Sequence, residues 1–456
     1  MNNDIQMKRL AGWGNTAASD AKVVSFAGVD SLSASLKAVN PRGAIARGLG
    51  RSYGAPAQNA GGTVILMEDD GEASLVLDSA KCTVTADARV SLDRIMRELI
   101  PRGWFVPVTP GTRQVTVGGA IASDIHGKNH HVDGSFGAHV RRLSLMTSEG
   151  VVRELSPTST PREFWATVGG MGLTGVILDA TFSMLPIETS LMKVETSRAA
   201  NLDDLMQTMS NDDEYRYSVA WIDLLARGAR MGRGVLTRGD HAKVADLGGR
   251  EAQSPLDFKP KSLITAPPIF PSGLLNKFTV AAFNEAWFRK APSHTHTGNE
   301  TITAFFHPLD GVQKWNRLYG RAGFVQYQFV LPFEAADTMR AIIGKLSNAK
   351  YASFLAVLKY FGPGDAGHLS FPMPGWTLAL DVPVGGQSMP TTFGEIDTMV
   401  LDAGGRHYLA KDSHISAESV RRGYPRLAEW QAIRDEMDPC GIWHSDLSRR
   451  LKLTTK

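Results

Sequence analysis

Through residue 185 the apolar positions come in short β-like runs divided by glycine turns: "GTVILM", "SLVLD", "CTVTADARVS", "FVPVTPG", "VRRLSLMTSEGVVREL" and "GVILDATFSML". Helical spacing intervenes. In "VSLDRIMRELIPRG" (90–103), Leu92, Ile95, Met96 and Leu99 fall at i, i+3, i+4 and i+7, with Asp93 and Arg94 near the start and Pro101-Arg102-Gly103 to stop it. The mixture predicts an α+β fold. Beyond Pro186 the texture changes to longer segments with aromatic-rich strands, interrupted at "APPIFPSG" (266–273) and "YFGPGDAG" (360–367). There "GFVQYQFVLP" (323–332) alternates so that Gln326 and Gln328 share one strand face and Tyr327 and Phe329 the other. The tail returns to helical patterns, among them "SAESVRRGYPRLAEWQAIRDEMDP". The expected division is 1–188, 189–405, and a segment 406–456 packing back on the first domain.

Length agrees with that division, since 456 residues exceed the size at which one core keeps growing. With 43% hydrophobic and 21% charged residues the chain reads as an ordinary soluble globular protein. A formal charge of +3 supplies no global field for nucleic acid. The pairs Arg141-Arg142, Arg421-Arg422 and Arg449-Arg450 read as solvated faces. Cys82 and Cys440 form no close-spaced pair, so neither a disulfide framework nor a thiolate metal site is expected. The start, "MNNDIQMKRLAGWGN", holds Asp4 and no apolar core, so no Sec signal peptide is expected. No apolar run approaches the ~18 residues of a membrane span, "YASFLAVLKYF" being short and holding Lys359. The expected place is the cytoplasm or the periphery of the inner membrane, with the periplasm left open.

Three chemistries compete for "TPGTRQVTVGGAIASDIHGKNHH" (109–131). His126 and His130 at i, i+4 would suit a metal on a helix, but Gly127-Lys128 puts a cation and a helix breaker between them, and no metal is expected. A phosphate cradle fits better. "ARGLGRSYG" (46–54) and "VTVGGAIASDIHG" (115–127) both set glycines beside β-like runs, where backbone N–H groups can approach an anion. Two such loops favour a nucleotide cofactor. "GMGLTG" (170–175) matches G-x-G-x-x-G by letter, yet the strand-like "VILDATFSMLP" follows it where a dinucleotide fold needs a helix. Gln326 and Gln328 suit a sugar pocket, or simply an exposed sheet face. Lys359 and Lys411 interrupt apolar surroundings, and Trp376 reads as core.

Taken together, "RGAIARGLGRSYG", "PGTRQVTVGGAIASDIHGKNHH…GSFGAHV", "FWATVGGMGLTG", "HPLDGVQKWNRLYGRAGFVQYQFV" and "YLAKDS" resemble the decaprenylphosphoryl-β-D-ribose 2-oxidase family, over nearly the whole chain. The resemblance implies a vanillyl-alcohol-oxidase type of FAD enzyme: a two-part FAD domain with a separate antiparallel-sheet substrate domain. It implies that Ala46, Arg47, Gly48, Leu49, Gly50, Arg51, Ser52, Tyr53, Gly54, Ala55 and Pro56 wrap the FAD diphosphate. Gly111, Thr116, Val117, Gly118, Gly119, Ser123, Asp124, Ile125 and His126 would run along the flavin, Ile177 on the adenosine side and Tyr408 at the ring. Non-covalent FAD is expected, because Arg51 stands where covalent relatives carry histidine.

The implied reaction oxidises the ribose 2-hydroxyl of a lipid-linked pentose phosphate, first half of an epimerisation toward an arabinose donor. A separate NAD(P)H-dependent short-chain reductase would complete it. Lys411 is the expected group on that hydroxyl, with Tyr53 and His126 beside it; Lys128, Gln326, Gln328 and Lys359 would shape the sugar and phosphate pocket. Thr377, Ala379 and Ser123 depart from mycobacterial members, which carry asparagine, cysteine and cysteine there, so lipid length and pentose carrier stay open. A soluble sugar or alditol oxidase on the same fold, and a flavin-binding module without turnover, are the competing readings.

Overall fold

The computed structural model describes residues 6–211, 214–260, 264–267, 276–351, 353–384 and 389–455. Two sheets build the first part. One has the order Gln6–Ala11, Ala18–Ser25, Thr63–Leu66, Ala44–Arg47; the other is antiparallel, Leu75–Asp78, Thr83–Asp87, Val176–Ser183, Val140–Met146, Val152–Leu155. Period-2 alternation puts Val84, Ala86, Leu143, Leu145, Ala180 and Phe182 into one core. Against them pack Leu92, Ile95, Met96 and Leu99 of the helix Leu92–Leu99. Ser91 caps that helix by accepting from Arg94 N, Pro101 enters a 3-10 turn, and Gly103 (φ 81°) ends it. "FVPVTPG" yields only the strand Trp104–Phe105, because Pro107 and Pro110 cannot donate to a ladder. After "GMGLTG" comes the strand Val176–Ser183, which rules out a dinucleotide fingerprint there.

The second part is one antiparallel eight-stranded sheet: His296–Thr301, Leu191–Ala199, Gly234–His241, Tyr217–Ile222, Ala356–Phe361, Gly375–Pro383, Phe324–Leu331, Arg406–His407. Side-chain parity decides its two faces. Ile222, Leu236, Tyr327, Phe329, Leu358, Trp376, Leu378 and Leu380 pack under the helices Leu202–Ser210, Ala336–Asn348 and Met389–Asp402. Each such side chain withdrawn from water contributes about 1.5–3 kcal/mol. The opposite face, with Gln326, Gln328, Lys359 and Ala379, turns toward the first part.

Arg406 and His407 pair with Val330 and Phe329, so the C-terminal segment leaves this sheet only after His407. Its helix Ala417–Gly423 still packs on Arg406–His407 and Met389–Asp402, whereas Leu427–Met437 and Asp446–Leu451 lie against the first part. Trp430 Nε1 donates to Ala166 O, and fully buried Arg434 donates to Leu173 O and pairs with Asp438. Cys82 and Cys440 are free and exposed. Among the described residues no helix is long and apolar enough to cross a membrane.

Candidate active site

Between the inner sheet face and the first part lies a cavity of about 980 Å³, near the top of the ~300–1,000 Å³ usual for small-molecule sites. Ala46, Gly48, Leu49, Gly50, Arg51, Ser52, Tyr53 and Pro56 line one stretch of it. The strand Ala44–Arg47 ends there, and Gly50 at φ 63° turns the chain in a conformation that favours glycine. The N–H groups of Gly48 to Ser52 donate to no acceptor among the described residues. Unpaired donors in a row beside a cavity form an anion cradle. Arg51 closes it, its guanidinium 4.0 Å over the Trp13 ring and its Nε donating to Gln114 O.

Gly111, Thr116, Gly118, Gly119, Ser123, Ile125 and His126 line the neighbouring wall, with Ile177 and Tyr408. Thr116 caps the helix Val117–Ala122 by accepting from Gly119 N, and Tyr408 OH donates to Ser123 O at 2.7 Å. A Cβ on Gly118 would meet Ala88 Cβ at 3.1 Å, so the glycine pair makes room for a packed strand end as well as for the cavity.

Five residues expected at the cofactor stand behind this wall. Arg47 donates to Ala11 O and Ala57 O, Gly54 is pressed against Asp412 O, and Ala55 O accepts from Leu447 N. Val117 is in the hydrophobic core, and buried Asp124 accepts from Gly137 N. None of the five lines the cavity. They shape the wall without forming it.

The sheet supplies the polar end. Gln326 and Gln328 face the cavity as alternation requires. Gln326 Nε2 donates to Asp381 Oδ1, and Asp381 Oδ2 accepts from Tyr319 OH. Gln328 Nε2 lies 3.0 Å from His126 Nε2 and 3.2 Å from Thr377 Oγ1. Lys128, Lys359 and Lys411 converge on the same cavity, each half-buried. Lys411 Nζ sits 3.9 Å over the Tyr53 ring, and Lys128 Nζ 4.0 Å over Phe305. Burial lowers Lys359 to about 8. Burial, then the Lys359 charge, lowers Lys128 to about 7. Burial lowers Lys411 to about 7 despite the attraction of Asp381, which is itself raised by burial. Asp381 escaped the sequence reading, although it shares parity with Thr377 and Ala379 in "TLALD". Of those two, Ala379 lines the cavity, while buried Thr377 donates to Phe329 O.

The three histidines separate. His126 is held neutral first by burial and then by the neighbouring Lys359, His130 and Lys411. With Gln328 donating to its Nε2, the proton rests on Nδ1, which has no partner among the described residues. His130 and His131 fall in a single helical turn, His130–Asp133, closed by Asp133 N donating to Asn129 O. His130 packs on Phe361, and His131 Nε2 lies 2.9 Å from Tyr215 O. Among the described residues no cluster of histidine, cysteine and carboxylate is placed to hold a metal.

Comparison with known proteins fits this geometry. Residues 21–156 match the FAD binding domain family, and 384–451 match the D-arabinono-1,4-lactone oxidase family. The decaprenylphosphoryl-β-D-ribose oxidase of Mycolicibacterium smegmatis is 46% identical, with 98% of each chain covered. An uncharacterised protein of Streptomyces coelicolor is 38% identical over 80% of this chain and all of its own. L-gulonolactone oxidase of Mus musculus is 33% identical over 28% of this chain and 30% of its own. The fold and the site define an FAD-dependent oxidoreductase of the vanillyl-alcohol-oxidase type. Within that class the chain belongs to the decaprenylphosphoryl-β-D-ribose oxidase family. The residues present suit the cofactor: an unpaired amide cradle for a diphosphate, and a long cavity bordered by His126 and Tyr408 for the ring.

Proposed function

We propose that this chain oxidises the 2-hydroxyl of a polyprenylphosphoryl-β-D-ribose to the 2-keto sugar, the first half of an epimerisation toward an arabinose donor. The observation that carries the reading is the convergence of Lys128, Lys359 and Lys411 with Gln326 and Gln328 on one cavity. Lysines suit an anionic phosphate linkage as point charges, and amide side chains suit sugar hydroxyls. An unphosphorylated alditol would leave two of those cations without purpose.

When bound, FAD supplies a two-electron acceptor for the hydride leaving C2. The diphosphate would rest on the amides of Gly48 to Ser52, with Arg51 beside it. The flavin is bound without a covalent link, since the Arg51 guanidinium is no nucleophile and is already engaged by Trp13 and Gln114. Lys411, in its neutral form, takes the proton of the 2-hydroxyl as the C2–H bond breaks. Tyr53 packs under the lysine and limits its swing. Gln328 orients His126, whose Nδ1–H remains free to hold a ring heteroatom or the substrate oxygen. Lys128 and Lys359 fix the phosphate and so set which carbon meets the acceptor. A separate NAD(P)H-dependent reductase returns hydride to the other face, and the lipid tail calls for contact at a membrane surface.

The experiment is anaerobic addition of a polyprenylphosphoryl-ribose to the flavoprotein, followed at the flavin absorbance beside an equal amount of ribitol. Bleaching by the lipid-linked sugar alone is expected. Equal bleaching by ribitol, or none by the phosphoribose, overturns the reading.

A further inference from the structure

The helix Lys277–Lys290 (KFTVAAFNEAWFRK) leaves three of its large apolar side chains exposed, while Val280 is buried and Phe288 lies under Arg198 and Arg233. Its buried positions are Val280 and Asn284, the latter donating to Asp223. Facing outward are Phe278, 72% exposed, Phe283, 43%, and Trp287, 41%, with exposed Ala281, Ala282 and Ala286 between them. Phe283 and Trp287 stack with ring centroids 6.0 Å apart. The lone acid, Glu285, is consumed by ion pairs to Arg233 and Arg289. Lys277 and Lys290, one at each end, lie over Phe278 and Trp287 and have no carboxylate partner among the described residues. Trp287 and Lys290 also line the mouth of the cavity.

An apolar outward strip with aromatic anchors and cations at its ends has the chemistry of a helix lying in a lipid interface. Phenylalanine inserts among acyl chain ends, tryptophan suits the headgroup layer, and the lysines meet lipid phosphates. We infer that the helix Lys277–Lys290 docks this chain on an anionic bilayer, with the cavity mouth opening at the lipid surface. The surface stands on its own; only its purpose, letting a lipid-linked sugar enter without leaving the membrane, rests on the function proposed above.

The test is flotation of the full-length flavoprotein with vesicles of phosphatidylcholine containing phosphatidylglycerol, and with phosphatidylcholine alone. No sugar substrate is present, so failure here is distinct from failure of the substrate reading. The wild type is expected to float with the anionic vesicles, at least tenfold more than with the neutral ones. Phe278→Ser with Phe283→Ser, and separately Ala282→Asp with Ala286→Asp, should lower that partition at least tenfold while keeping flavin content. The alanine positions are exposed, so the second pair leaves the fold alone. No flotation of the wild type, equal flotation on both vesicles, or variants that float like the wild type would overturn the proposal. So would a lipid-free dimer, seen by sedimentation velocity, that both double variants dissociate, because the strip would then be an interface between copies.

Discussion

Lys411 lies where three influences meet: burial and the Lys359 charge press its pKa down, and Asp381 holds it up, to settle at about 7. A proton acceptor must be neutral, so activity should rise as pH climbs through about 7. Lys359 must be charged to hold an anion, and that charge is lost as pH rises through about 8, with Lys128 losing its own near 7. The two requirements run in opposite directions. The profile of kcat/KM for the phosphoribose should therefore be a narrow bell between pH 7 and 8. Lys411→Ala should keep FAD, lose roughly 10²–10⁴-fold in the rate of flavin reduction, and lose the acid limb. Near-normal reduction in that variant removes the assigned role.

At the scale of elements, the loop after Ala44–Arg47 presses Gly48 against the side chain of Thr116, the N-cap of the helix Val117–Ala122. A methyl on Gly48 would collide with the hydroxyl that caps the helix, forcing apart two walls of the cavity. Overpacking of this kind costs about 1–3 kcal/mol, so Gly48→Ala should weaken FAD retention on the order of ten- to a hundredfold with the far-UV spectrum unchanged. Gly248→Ala, which has open space and an ordinary φ, is the control; equal flavin loss in both would sink the argument. Alternation exposed the glutamine face in advance, because Gln326 and Gln328 break an otherwise apolar strand at period 2. Asp381 obeys the same parity, but at the end of "TLALD" it looked like the polar close of a strand. The helix Lys277–Lys290 escaped the sequence reading, since only Val280 and Asn284 are buried and most of its large side chains are exposed. Nor could sequence place Gly54, Ala55 and Asp124 behind the wall. Their neighbours Asp412, Leu447 and Gly137 are set by tertiary contact, two of them from the far end of the chain.

For the molecule as a whole, the cavity has the unpaired amide loop on one part and the lysine–glutamine sheet on the other. On the proposed function, a cofactor held by the first would meet a sugar held by the second from one side only, so hydride would be removed and returned on that side alone. The purified protein, given polyprenylphosphoryl-ribose and an electron acceptor, should form the 2-keto sugar and no arabinose; arabinose without an added reductase and NAD(P)H would refute this. The seam of the first part with the C-terminal segment has a separate bearing. Ala44 forms a bridge with Trp443, Tyr53 N donates to Ala410 O, Asp446 N to Gln58 O, and Arg449 to Asn59. The loop Gly48 to Ser52 is thus flanked on both sides by contacts to residues made long after it. A nascent chain halted before Tyr408 has neither that residue nor Lys411 nor those contacts. Flavin loading should therefore wait for this segment, and a chain stalled before it is expected to emerge colourless.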